Sequence, residues 1–165
     1  MHKIILPPSR FRPSFQGGVT LIEVFVAVSI SILVLVLSVY ALLSFWEKRT
    51  VDAEVENVLS LLSRSRVDTI ASRNNAVYGV HIESDRMVFY IGPNYDSATT
   101  TNMTVMINPA LEITNIALSG GGTNVLYKRW SGGTDQSGTF ELRFKENTEV
   151  STTIVVGGTG VAYIE

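Results

Sequence analysis

Hydrophobic positions along the chain fall into three successive patterns. An apolar run from Val24 to Trp46 comes first, with four serines as its only polar residues. Apolar residues then recur every three, four or eight positions to about residue 73, and from residue 76 short apolar runs alternate with Gly, Asn, Asp and Ser. These patterns predict a long helix, first apolar and then amphipathic, followed by a β-domain.

The apolar run is long enough to cross a membrane. Its 23 residues would extend about 34 Å as a helix, more than the roughly 30 Å of a bilayer's hydrocarbon core. A cleavable secretory signal is the alternative, but its apolar core is usually about 7–15 residues long and is followed by a small-residue cut site, for which this sequence offers no convincing match. Basic residues precede the run and mainly acidic ones follow it, which predicts a single-pass inner-membrane protein with a cytoplasmic N-terminus and an extracytoplasmic domain.

The helix is expected to continue beyond the membrane. No glycine or proline occurs between Val19 and Val77, and these two residues are the usual helix breakers. One helical face carries Val51, Val55, Val58, Leu59, Leu62 and Ile70. We therefore expect a helix over about residues 20–73, ending at Asn74-Asn75, whose apolar face over 51–73 covers a sheet.

Eight strands are predicted in the remainder of the chain. They lie at about 77–83, 86–91, 103–107, 111–118, 123–130, 138–145, 152–156 and 160–164. We expect hairpin turns at Ser84-Asp85, between Ser131 and Ser137, and at Gly157-Gly158-Thr159. The predicted fold class is α+β: a long N-terminal transmembrane helix that continues into an amphipathic helix packed on an antiparallel, β-sandwich-like domain.

Composition narrows the possible classes of function. Of 28 charged residues, 24 lie in residues 47–165, so a membrane anchor with one soluble domain explains the mean hydropathy of +0.24. The chain has no cysteine, which excludes a disulfide framework, a thiol nucleophile and a thiolate metal site. Without residues 1–18 the side-chain charge would be −5, which argues against a general polyanion binder.

Glu23 is the one charged residue at the start of the apolar helix. A carboxylate costs on the order of 3 kcal/mol at mid-membrane and less near an end, so such a charge usually has a partner. A position at the membrane interface, favoured by the helix N-terminal dipole, is the simpler interpretation. The residues that precede Glu23 favour a partner.

The run Gly17-Gly18-Val19-Thr20-Leu21-Ile22-Glu23-Val24 resembles the processing motif of type IV prepilins and type II secretion pseudopilins. The resemblance implies that a prepilin peptidase cuts after Gly18 and N-methylates Val19. Thr20, Leu21 and Ile22 complete the motif. Glu23, fifth in the mature chain, would neutralise the α-amine of a neighbouring subunit during assembly, since that amine has a pKa near 8 and is largely protonated at neutral pH.

Several details refine this resemblance. A cut after Gly17 would make Glu23 the sixth residue, out of the family's register, and Val19 stands where the family most often has Phe. Major pilins often carry a proline or glycine within the apolar helix, and the absence of both here favours a minor pilin or pseudopilin. The Arg- and Ser-bearing stretch at 63–73 and the closing strands at 152–164 resemble the GspH/FimT group.

The motif divides the chain into four parts: a cleaved basic leader (1–18), a transmembrane and filament-core helix (19–46), an amphipathic half of that helix (47–75) and a globular β-domain (76–165). The predicted function is a structural subunit without catalytic residues, cofactor or metal. Its implied partners are the prepilin peptidase, other pilin subunits, an inner-membrane assembly platform and membrane lipid. A signal-anchored module that binds an exported protein or DNA outside any filament is the alternative, and the kind of pilus or secretion system is left open.

Four other features of the sequence could bind a ligand or take part in catalysis. His81 is the one histidine after residue 18 and is interpreted as a strand-surface residue. Gly157–Gly160 lacks the Gly-Lys-Ser/Thr ending of a phosphate loop and is predicted to be a turn, and the polar run 94–102 has one carboxylate, too few for calcium. Lys128-Arg129-Trp130 and Arg143 with Lys145 would be neighbours if residues 131–137 formed a hairpin, a weak nucleic-acid pattern, so we expect no nucleic-acid partner.

Overall fold

The computed structural model describes residues 18–165, which contain one long helix and eight strands. Helix α1 spans Leu21–Ile70, and a 3₁₀ turn follows at Arg73–Asn75. The strands are β1 Tyr78–Ile82, β2 Arg86–Ile91, β3 Met103–Met106, β4 Leu111–Leu118, β5 Asn124–Leu126, β6 Gly138–Phe144, β7 Ser151–Val156 and β8 Ala162–Ile164. Contacts divide the chain into two compact units, with the boundary between Ala41 and Leu42.

The part of α1 before the boundary is apolar and exposed. Its large side chains are exposed, and those of Phe25, Leu33 and Leu37, for example, are each more than 60 % exposed. Ser29, Ser31 and Ser38 each donate their hydroxyl to the carbonyl four residues earlier, at 2.8 Å, which hides these polar groups from an apolar solvent. Within the described residues α1 is long and apolar enough to cross a membrane, by length and composition.

The second unit contains two four-stranded antiparallel sheets. The first sheet has the strand order β3-β2-β1-β5 and the second the order β4-β6-β7-β8. Register places Val80 opposite Phe89 in the first sheet and Phe140 opposite Ile154 in the second. The predicted α+β class is confirmed. A helix that is first apolar and then amphipathic is followed by antiparallel sheets, and their eight strands lie in the eight predicted regions.

One face of α1 and both sheets share a single hydrophobic core. Val51, Val55, Val58, Leu61 and Leu62 supply the helix side of it. They pack in one cluster with residues of both sheets, including Val80, Leu142 and Ile154. Each fully buried aliphatic side chain contributes about 1.5–3 kcal/mol. The predicted covering of a sheet by the amphipathic half of the helix is therefore confirmed.

The α-helix ends earlier than its sequence predicts, at Ile70 instead of residue 73. Ser72, Asn74 and Asn75 adopt left-handed backbone conformations, with φ of 47°, 49° and 54°. Such a conformation stops an α-helix, and asparagine tolerates it better than most residues do. The chain therefore turns into β1 through a short 3₁₀ segment.

The predicted hairpin between Ser131 and Ser137 is wrong. Strand β5 is only three residues long and pairs with β1 in the first sheet, whereas β6 lies in the second sheet between β4 and β7. Residues 127–137, which we call the crossover loop, pass from one sheet to the other. The hairpins predicted at Ser84-Asp85 and at Gly157–Thr159 are confirmed, since β1 pairs with β2 and β7 with β8.

Candidate functional site

The residues of the processing motif lie at the start of α1. Gly18, Val19 and Thr20 precede the helix, which begins at Leu21. The Thr20 Oγ1 accepts the backbone N–H of Glu23 at 3.3 Å, and the Thr20 carbonyl accepts the N–H groups of Glu23 and Val24. Thr20 is thus the N-cap of the helix, and the Thr-x-x-Glu spacing that signals such a cap was present in the sequence.

Glu23 occupies the first turn of α1 and is exposed. The partial positive charge at a helix N-terminus favours a carboxylate there by about 0.3–1 kcal/mol in water. None of the ion pairs among residues 18–165 includes Glu23. Within the described residues the Glu23 carboxylate is therefore stabilised by the helix dipole and forms no ion pair.

Packing within the described chain does not account for the apolar residues of the motif. Val19, Leu21 and Ile22 are 71 %, 88 % and 66 % exposed. A Cβ built on Gly18 meets no atom of the described residues within 4 Å, so space alone does not require a glycine there. The structure brings the motif residues together as one exposed end of an apolar helix.

The two basic segments considered for nucleic acid do not lie across a hairpin. Lys128 and Arg129 belong to the crossover loop, whereas Arg143 is in β6 of the second sheet. Their charges have partners in the fold: Lys128 Nζ lies 2.6 Å from Asp135 Oδ1, and Arg143 Nη2 lies 2.7 Å from Glu112 Oε1. Lys145 Nζ donates to the carbonyl of Pro109 at 2.7 Å. The geometry that motivated a nucleic-acid surface is therefore absent from the described fold.

His81 takes part in packing within the first sheet. Its ring stacks on Tyr95 with centroids 3.9 Å apart, and its Nδ1 lies 2.7 Å from Asn124 Oδ1. It is half-buried, so the prediction of a surface position is only partly right. Residues 18–165 contain no group of three or more His, Asp or Glu placed to hold a metal ion.

The two loops considered for ligands have local structural roles. Asp96 accepts the backbone N–H of Ala98 at 2.9 Å, and the Asn102 amide donates to the Asp96 carbonyl at 2.8 Å. In the turn between β7 and β8, the Gly160 N–H donates to the Gly157 carbonyl at 2.8 Å. The predicted turn at Gly157–Gly160 is confirmed.

Two tyrosines and one glutamate are among the groups of the β-domain whose pKa departs from its ordinary value. Burial raises the pKa of Tyr90 to about 12 and also raises the pKa of Tyr127, so both phenols stay protonated at neutral pH. Hydrogen bonds from Ser151 and Asn115 lower the pKa of Glu141, and the Asn115 amide lies 2.6 Å from its Oε2. That carboxylate braces the outer face of the second sheet.

Sequence reasoning missed a junction where the end of α1 meets two loops. The Arg66 Nε donates to the carbonyls of Gly132 and Thr159, at 3.1 and 3.3 Å. A Cβ on Gly160 would lie 1.8 Å from the Gly132 oxygen, so the backbones approach too closely for a side chain there. The Arg- and Ser-bearing stretch at 63–73 contains the arginine, but its loop partners are 66 and 93 residues away.

The chain was compared with protein-family models, with curated proteins and with solved structures. No protein-family model matches the chain, and no curated protein matches it in sequence. A crystal structure of the type IV minor pilin FimU of Pseudomonas aeruginosa is similar, with a TM-score of 0.54 and 13 % identity over 73 % of this chain and 92 % of that one. A second crystal form of FimU has a TM-score of 0.49 at 12 % identity over 69 % of this chain and 91 % of that one. Identity this low bears on the fold alone, and the fold of this chain is that of a type IV minor pilin.

Proposed function

We propose that this protein is a structural subunit, a minor pilin or pseudopilin, of a type IV pilus or a type II secretion pseudopilus. The observation that carries the proposal is the run Gly18–Glu23 at the start of an exposed apolar helix. That helix continues into the core of a domain with the pilin fold. Both the motif and the fold are needed, because either alone occurs for other reasons.

In this proposal a membrane prepilin peptidase cuts after Gly18 and N-methylates Val19, removing the basic leader 1–18. Gly18 and Val19 precede the first helical turn and are exposed, as a scissile bond must be to enter a protease. Packing in the described fold does not explain the glycine at residue 18. Recognition by the peptidase would explain it.

The new α-amine then becomes the partner of Glu23 in a neighbouring subunit. The amine is largely protonated at neutral pH, with an ordinary pKa near 8. Moving a lone carboxylate into lipid costs on the order of 3 kcal/mol. The free-energy cost is smaller when the carboxylate is paired with a cation. The pair would set the register between neighbouring subunits, and the exposed apolar surface of α1 would be covered first by lipid and then by neighbouring helices.

Mass spectrometry of the membrane-extracted protein tests this proposal. In cells with an active prepilin peptidase we expect a mature chain that begins with N-methylated Val19. The same chain from cells without the peptidase is the control and should retain residues 1–18. An intact Met1 in the presence of the peptidase would contradict the proposed function.

A further inference from the structure

A polar cleft opens on the outer face of the first sheet. Met87 and Phe89 of β2 belong to the hydrophobic core, whereas Tyr90 does not, because successive side chains of a strand point to opposite faces. Tyr90 lines the cleft together with residues of β5 and of three loops, 92–102, 119–123 and the crossover loop. The cleft has a volume of about 370 Å³, within the range of roughly 300–1,000 Å³ that is usual for small-molecule sites.

Tyr90 contributes a buried phenol whose hydroxyl is unused. A Cβ built on Gly79 would overlap the ring and the hydroxyl of Tyr90, so the phenol lies over β1, the strand between β2 and β5. Tyr90 is only 2 % exposed, and no hydrogen bond within residues 18–165 involves its hydroxyl. Since a buried polar group normally has a partner, this phenol calls for one from outside the described chain.

Two side-chain amides of the cleft are held by their oxygen atoms. Asn124 Oδ1 lies 2.7 Å from His81 Nδ1. Gln136 Oε1 accepts the Leu126 N–H and the Thr134 hydroxyl, each at 3.2 Å. No hydrogen bond within residues 18–165 uses the NH₂ group of either amide. Each amide is therefore oriented within the fold and keeps two N–H donors for a ligand.

Tyr95 adds an aromatic ring that is fixed in place. It stacks on the His81 ring with centroids 3.9 Å apart and an angle of 12° between the planes. Its centroid lies 5.6 Å from that of Tyr90. The ring is half-buried, so it retains surface for a ligand and would lose little conformational entropy on binding.

The chemistry of the lining favours a neutral ligand rich in oxygen. No charged side chain is among the described residues that line the cleft, so an ionic ligand would lose water without meeting an opposite charge. The amide N–H groups require acceptors, and the tyrosine rings favour a partly apolar partner with polarised C–H groups. A pyranose ring has both features, in its hydroxyl oxygens and its C–H faces. It also fits, since a cavity of about 150 Å³ already accepts benzene.

We propose that this cleft binds a neutral saccharide. The NH₂ groups of Asn124 and Gln136 and the Tyr90 hydroxyl donate to its oxygen atoms, and the Tyr95 ring packs against its C–H groups. The site lies wholly in the β-domain. It goes beyond the proposed filament role and does not depend on cleavage or assembly.

Saturation-transfer difference NMR of the full chain tests the proposal. The chain is held in dodecylphosphocholine micelles, because detergents with a sugar headgroup would compete for the cleft. The probes are glucose, galactose, mannose, N-acetylglucosamine and N-acetylgalactosamine, each at millimolar concentration. At least one should receive saturation and show a saturable titration. No transfer to any of them would overturn the proposal, as would saturable binding of acetate or trialanine alone.

An isosteric pair of variants places the bound sugar in the cleft. Asn124→Asp keeps the oxygen that faces His81 and replaces the NH₂ donor with a carboxylate oxygen, so affinity for the sugar should fall about tenfold or more. Asn57→Asp is the matched control, because it makes the same change at an exposed position of α1 outside the cleft, and it should leave the affinity unchanged. Equal affinities of the two variants would overturn the proposal.

A second change tests the aromatic contact and guards against loss of the fold. Tyr95→Leu removes the ring from an exposed loop, and affinity for the sugar should again fall about tenfold or more. Circular dichroism checks that each variant retains the fold of the parent chain. If Asn124→Asp is unfolded, the Tyr95 variant decides alone, and unchanged binding by a folded Tyr95→Leu chain would overturn the proposal.

Discussion

At the scale of single residues, the start of α1 combines two functions in one short segment. Thr20 caps the helix by accepting the Glu23 N–H, and Glu23 places a carboxylate in the first turn. The cap stabilises the helix terminus locally, typically by about 1 kcal/mol. Under the proposed function the carboxylate pairs with a group outside the chain, and no cation faces it within residues 18–165.

If the protein is the proposed filament subunit, Glu23→Ala should leave cleavage after Gly18 intact but reduce incorporation into filaments about tenfold or more, because the α-amine of the neighbour would lose its partner. The measurement is the ratio of sheared filament to membrane-bound protein by immunoblot, with mass spectrometry of the N-terminus. Thr20→Ala, which removes the cap and keeps the charge, and Glu56→Ala, which removes an exposed carboxylate further along the helix, serve as controls. Unchanged incorporation of the Glu23 variant would refute the pairing.

Gly132 is a second residue whose identity is set by its surroundings. Its φ of 65° strains any L side chain, and a Cβ would also collide with Ile70. Gly132→Ala should lower the free energy of unfolding by about 2–4 kcal/mol, as thermal circular dichroism of the detergent-solubilised chain would show. Gly121→Ala is the control, since its φ is 69° with no atom within 4 Å of the new Cβ. It should cost only about 1 kcal/mol, and equal losses would mean that the contact with Ile70 is unimportant.

At the scale of elements, the junction of helix and sheet depends on one buried hydroxyl. The Thr69 Oγ1 donates to the Ser65 carbonyl at 2.9 Å and accepts the Tyr78 N–H at 2.9 Å. It thereby joins the last turn of α1 to the first residue of β1. Asn74-Asn75 correctly indicated the region where the helix ends. The Tyr78 N–H that the Thr69 hydroxyl accepts is nine residues further along the chain, and no local sequence pattern predicts that hydrogen bond.

Thr69→Val preserves the shape of this side chain and removes its hydrogen bonds. The buried Tyr78 N–H would then lack its acceptor, and we expect a loss of about 1–3 kcal/mol in the free energy of unfolding. Thr50→Val is the matched control, because the Thr50 hydroxyl donates only to the Trp46 carbonyl on its own helix. Chemical denaturation of both variants measures the difference, and similar stabilities would refute the role of the Thr69 hydroxyl.

The crossover loop shows why pairing of strands is harder to predict than their position. Alternation in β6 correctly indicated a strand with one buried face, and Phe140 and Leu142 are buried. Alternation does not identify the neighbouring strand, because any antiparallel partner with an apolar face satisfies it. The partner of β5 proved to be β1, from the start of the β-domain.

At the scale of the whole molecule, the two compact units use apolar residues in opposite ways. Up to Ala41 the apolar side chains of α1 are exposed, whereas beyond Leu42 the helix buries Val51, Val55 and Val58 in the core. The described residues therefore leave the apolar surface of the first part of α1 uncovered. The second unit carries its own core and depends on the helix only from about residue 47 onward.

Two truncations test that division. Residues 47–165 should be soluble, folded and monomeric, because they retain every core residue of α1. Residues 63–165 lack five buried aliphatic side chains, worth roughly 7–15 kcal/mol together, which is comparable to the whole stability of a domain. We expect the shorter fragment to be unfolded by circular dichroism and size-exclusion chromatography. A folded shorter fragment would show that the sheets are stable without the helix.

The sequence by itself determined the apolar run, the amphipathic face of α1, the positions of the strands and the motif Gly18–Glu23. These depend on local composition and periodicity, which are properties of neighbouring residues. Tertiary structure alone decided that β5 and β6 lie in different sheets and that Thr69 and Arg66 bind distant segments. Each of these depends on contacts between residues far apart in the chain, whose free energy is settled only when helix, sheets and loops pack together.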